Sequence, residues 1–152
     1  MKTSVSPAVL TTAFYAFYDL HRPVYHAYAA FHLTPEEAQV AVAHLFDLVA
    51  SNWSTVVAKP CPAAWAWRRH TRAVAQRSGH PRTAADDAAL LHEYLRLSIE
   101  KIAFVTGTER ATVTALLATS RRRRSCERSR PSAALRNNAH PVGANPALAP
   151  LS

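Results

Sequence analysis

Residues 97–117 read LSIEKIAFVTGTERATVTALL, and the fold of the chain turns on this stretch. Ala103 is followed four residues on by Gly107, six further on by Val113, and three after that by Leu116. A helix-turn-helix needs a small residue where its helices touch, a Gly able to take positive φ in the turn, and apolar residues inside the second helix. Ala103 supplies the contact, Gly107 the turn, and Val113 and Leu116 the inner face, while Ile102 packs the first helix. Ser98 is placed to cap that first helix. An ordinary helical hairpin is the competing reading, because it asks for similar packing.

With the second helix beginning near Glu109, the residues Arg110, Thr112 and Thr114 face outward, followed by Ser120 and by Arg121, Arg122, Arg123 and Arg124. Short hydroxyls and guanidinium groups bond phosphates and base edges. Glu109 and Ala115 are poor base readers, so discrimination by this helix alone is expected to be weak.

Upstream, apolar residues recur with helical period. A first helix is expected over 12–30, with Phe14, Phe17, Tyr18, Val24, Tyr25 and Tyr28 on one broad face and Pro23 kinking or splitting it. The second helix declares its start: Thr34 stands at the N-cap, Pro35 at the first helical position and Glu37 where a capping box needs it. Its buried stripe is Ala38, Ala41, Val42, Leu45, Phe46 and Val49, ending near Asn52. A loop with Lys59, Pro60 and Pro62 leads to a third helix over 63–77, rich in Arg and free of acid. The segment SGHPRTAADD has linker composition. A fourth helix is expected over 86–95, with Ala89, Leu90, Tyr94 and Leu95 apolar. From Ser125 onward the composition shifts to Ser, Pro, Ala, Asn and Arg without period, which is expected to be disordered.

The composition permits a core, since 49% of the 152 residues are apolar. No window alternates long enough for a sheet. The formal charge of +8 is unevenly spread. Residues 1–120 hold 11 Lys or Arg against 9 Asp or Glu, and residues 121–152 hold 7 Arg against one Glu. Basicity is therefore mostly a property of the C-terminal segment. Two distant cysteines, Cys61 and Cys126, suit free thiols in a cytoplasmic protein better than a disulfide scaffold. No signal-peptide pattern opens the chain, and no run reaches the roughly 18 apolar residues of a membrane span.

Other chemistries find little footing. The eight His lack metal-ligand spacing, so no metal or other cofactor is expected. Glu36 and Glu37 are explained by capping, and Asp86 and Asp87 by a helix start. No Gly-rich phosphate loop is possible with three Gly, and nothing locates a catalytic pocket, so enzymatic activity is not expected. On the third helix, Trp67, Arg68, Arg69 and Arg72 are candidate contacts for single-stranded DNA, whose bases stack on aromatic rings while Arg neutralises phosphate. The alternative is a solvated basic face. Trp65 is expected in the core.

These residues together resemble a known family. The stretch LHEYLRLSIEKIAFVTGTERATVTALLATSRRRR resembles the end of the −35-reading region of extracytoplasmic-function sigma factors, of the sigma-70 family. Leu97-Ser98, Ile102-Ala103, Gly107, Thr112-Val113 and the four consecutive Arg match that pattern in order. AFYDLHRPVYHAYA, EEAQVAVAHLFDLVASNW and PAAWAWRRHTRAVAQR are similar, more diffusely, to its polymerase-binding and −10-reading region. The resemblance spans roughly residues 13–124, with two departures. Val40 and Ala43 stand where the family usually carries an Asp and a Gln that grip the polymerase, and the helix that normally opens the −35 region is missing.

The resemblance implies an all-α chain of two small helical lobes. Residues 12–78 form the first lobe, 79–85 a linker, 86–124 the helix-turn-helix lobe and 125–152 a disordered basic tail. It implies a transcription initiation protein whose partners are promoter DNA, core RNA polymerase and an inhibitory anti-sigma protein. Loss of the polar pair leaves open a helix-turn-helix regulator that no longer engages polymerase. A third reading is an interaction protein that docks through the Phe14, Phe17 and Tyr18 face.

Overall fold

The computed structural model describes residues 5–130, and all regular structure among them is helical. The chain runs through α1 (Pro7–His32), α2 (Pro35–Ser51), α3 (Trp53–Val57), α4 (Pro62–Ser78), α5 (Ala84–Glu93), α6 (Ile99–Thr106) and α7 (Arg110–Ser129). The contacts divide into two compact units after Ser120.

Local sequence accounts for most helix ends. Thr34 accepts a hydrogen bond from the Glu37 backbone N–H at 3.3 Å, with Pro35 in the first turn of α2. Thr83 and Asp86 form a reciprocal capping box at the start of α5. Gly79, at φ 72°, closes α4 in the left-handed conformation.

Two expectations about helix extent need correction. α1 runs unbroken from Pro7 to His32 through Pro23, which lies on the exposed side. The Asp19 carbonyl loses its helical donor to the proline ring, and Asp19 is itself exposed, where water can satisfy a carbonyl. Asn52 does not open a loop. It ends α2 and starts the short α3, whose Trp53 is buried and donates its Nε1–H to the Leu10 carbonyl at 2.7 Å. That bond ties the beginning of α1 to the core.

The stripe expected on α2 is buried in full. It meets Phe17, Val24, Tyr25 and Tyr28 of α1, with Phe14 and Tyr18 half-buried beside them. Phe14 packs on Trp53 and Tyr18 on Phe46, so the face considered for an outside partner is occupied internally. α4 contributes Ala63, Ala66, His70 and Val74. Tyr94 is not core: α5 ends at Glu93, and Tyr94 stands 67% exposed against Phe31. Leu91 takes the buried place instead.

The division at 79–85 is also not where the contacts separate. α6 lies against α4, and Ile102, Val105, Val113 and Leu117 belong to the same buried cluster as Tyr25, Phe46 and Val74. Gly107 makes this approach possible. A Cβ placed on it would come within 2.5–2.7 Å of the Ala64 backbone nitrogen, Cα and Cβ. Up to Ser120 the two expected lobes share one core. The tail expected to be disordered from Ser125 is helical as far as Ser129, and its remainder, 131–152, lies outside the described residues.

Candidate nucleic-acid interface

The helix-turn-helix begins with Ser98, whose hydroxyl accepts from the Lys101 backbone N–H at 3.1 Å. α6 stops at Gly107, with φ 67° and ψ 27°, a region open to glycine and costly for other residues. The Gly107 N–H donates to the Ala103 carbonyl, as does that of Thr108 at 3.2 Å. After Thr108 and Glu109, α7 begins at Arg110. Its inward face is Val113, Leu117 and Ser120. Leu116, expected as an anchor, is half-buried, and Ser120, expected outside, is buried. The true stripe falls at spacings of four and three, one residue round from the expected one. Ile102 is buried as expected, and Ala103 is half-buried against the core.

Arg110, Thr112 and Thr114 are all exposed on α7. Arg110 is not idle. Its guanidinium sits 2.7 Å from Glu100 of α6, with both side chains well exposed. A pair so open to water is worth little, about 0–1 kcal/mol, so a phosphate or base edge can displace Glu100. The Thr114 hydroxyl donates to the Arg110 carbonyl at 3.0 Å and keeps its lone pairs as acceptors. In the second unit, Arg121, Arg122 and Arg123 are exposed and Arg124 is half-buried.

On α4 the expected aromatic-basic surface is rearranged. Trp67 packs its ring edge-on to Tyr28 at 4.8 Å and tilted against Tyr25 at 5.7 Å, so it walls the core. Trp65, expected in the core, is half-buried against it and carries the Arg69 guanidinium over its ring at 3.6 Å. Helical period places Trp65, Arg68, Arg69 and Arg72 on one side of α4 and turns Trp67 away from it. The signal was present in the sequence as an aromatic and an Arg four residues apart.

Sequence reasoning missed a buried polar seam behind these elements. His21, Tyr25 and His70 stack in series, with ring centroids 5.7 and 5.0 Å apart. His70 donates its Nε2–H to the Tyr25 carbonyl at 2.8 Å. Burial lowers the pKa of His70 to about 4, against a smaller opposing effect of that bond. His21 falls to about 4 as well, through burial and then the nearby Lys101 charge. Asp87 accepts from the Tyr28 hydroxyl at 2.8 Å and from Arg82 Nε at 3.1 Å. Burial still raises its pKa, outweighing both donors. Among the described residues, no group of three or more His, Cys, Asp and Glu is placed to hold a metal ion, and no helix is long and apolar enough to cross a membrane. Comparison with protein-family models, with curated proteins and with solved structures gives no match in any of the three.

Proposed function

We propose that the protein is a sigma-like transcription initiation protein that contacts DNA through α7. One observation carries this reading: α6 and α7 join at a left-handed Gly107, with Val113 and Leu117 held inside and Arg110, Thr112 and Thr114 outside. An exposed helix start bearing Arg and short hydroxyls on a rigid mount is what major-groove docking requires. In this reading Arg110, Thr112 and Thr114 address base edges, Arg121 and Arg122 address phosphates, and Arg68, Arg69 and Arg72 add basic contacts. Core RNA polymerase is the protein partner, in the cytoplasm, and the chain performs no chemistry of its own.

One observation favours a second reading, a helix-turn-helix regulator that does not engage polymerase. Val40 and Ala43 are exposed and carry no polar group on α2. Size-exclusion chromatography of the full chain mixed with core RNA polymerase separates the two readings. The first reading expects co-elution that survives moderate salt, and separate elution with duplex DNA binding retained would establish the second.

A further inference from the structure

A cleft of about 330 Å³ opens between α4 and the helix-turn-helix, entirely within the unit that ends at Ser120. Its apolar wall is Trp67, Ile102, Val113 and Leu116, and two guanidinium groups, Arg68 and Arg82, stand with it. The volume lies at the lower end of small-molecule sites, and an apolar lining with a few convergent polar groups is their usual composition.

The charges in the cleft are not balanced. Asp87 is the one carboxylate in the lining, and it is already engaged by Arg82 Nε and the Tyr28 hydroxyl. Arg68 is exposed, and its guanidinium has no hydrogen-bond or ion-pair partner among the described residues. An occupant therefore meets Trp67 and aliphatic side chains on one side and an uncommitted cation on the other.

We propose that this cleft is a binding site for a small organic anion with a planar apolar body, such as an aromatic carboxylate or sulfonate. Its ring lies against Trp67 and the aliphatic wall, and its acidic group bonds Arg68 in a charge-assisted pair. Such a ligand touches α4, α6 and α7 together and so fixes the junction that holds the helix-turn-helix. The assignment does not depend on DNA binding, and its test uses none.

The test titrates the full chain with 8-anilinonaphthalene-1-sulfonate, an aromatic anion that fluoresces in apolar surroundings, and with the uncharged N-phenyl-1-naphthylamine. The wild type binds the sulfonate saturably at one per chain. Arg68→Gln weakens the sulfonate about tenfold, the scale of one charge-assisted hydrogen bond, and leaves the neutral probe unchanged. Thr71→Phe, which fills the cleft from a half-buried position on α4, abolishes both while the far-ultraviolet circular dichroism stays that of the wild type. Equal sulfonate affinity in wild type and Arg68→Gln overturns the proposal. So does retention of both probes by Thr71→Phe, or the absence of saturable binding to the wild type.

Discussion

Taking the protein from pH 7.5 to pH 5 lowers its urea midpoint steeply, before most of its carboxylates are protonated. The cause is the buried histidine seam. His21 and His70 are 3% and 0% exposed, and their pKa values near 4 lie below the value of about 6.5 that an unfolded chain restores. Between those limits the unfolded state takes up protons that the folded state refuses, so stability is lost as pH falls. Each histidine costs up to about 1.4 kcal/mol per pH unit, or about 2 kcal/mol by pH 5. His32, half-buried and also lowered to about 4, acts in the same direction. Asp87 acts in the opposite direction: its raised folded pKa means the folded state protonates first, which returns part of the loss on acidification. A net loss of several kcal/mol is a large share of a total of ~5–15 kcal/mol. His21→Phe keeps an aromatic ring between Phe17 and Phe104 and removes one titrating group, so its midpoint falls less steeply with pH. A midpoint that does not change between pH 7.5 and 5 contradicts this account of the seam.

Gly107→Ala is the second large effect, and Gly79→Ala is its built-in control. Both glycines have positive φ, 67° and 72°, so each substitution incurs the left-handed penalty of about 1–2 kcal/mol. Around Gly79 a new Cβ meets nothing within 4 Å, whereas at Gly107 it meets Ala64 at 2.5 Å, backbone included. Separating α6 from α4 to make room adds about 1–3 kcal/mol of overpacking. Gly107→Ala is therefore expected to lower the melting temperature by roughly 10–15 °C and Gly79→Ala by about 5 °C, given a few degrees per kcal/mol. Similar shifts for both would mean that the α4–α6 contact contributes little.

The pattern of success follows from the range of each signal. α2 was legible because its cap, its proline and its apolar stripe all lie within one helix, and every stripe residue is buried. Ser98 and Gly107 were legible for the same local reason. The mounting of α6 on α4 was not, because Ala64 is one alanine among many and a contact 43 residues away leaves no periodicity. The α7 stripe came out one residue off, with Leu117 inside rather than Leu116, since three adjacent apolar positions fit two faces equally well. Residues 125–129 lack an apolar stripe because their side chains are exposed, so composition reads as disorder where the backbone continues as helix. The buried histidines escaped notice for a related reason: in sequence they look like polar residues, and only packing shows that His70 has Tyr25 on one side and a carbonyl acceptor within reach.

The role proposed for α7 is to read DNA. It is tested most directly by fluorescence anisotropy on a duplex enriched from a random library, against a scrambled duplex, for wild type, Arg110→Ala and the double variant Arg121→Ala/Arg122→Ala. The account predicts that Arg110→Ala loses affinity on the enriched duplex by about 5–150-fold, the range of one base contact of ~1–3 kcal/mol, and little on the scrambled one. The double variant weakens both alike and lowers the salt slope by about two. Failure of the wild type to enrich any sequence, or equal losses for both variants on both duplexes, would contradict it.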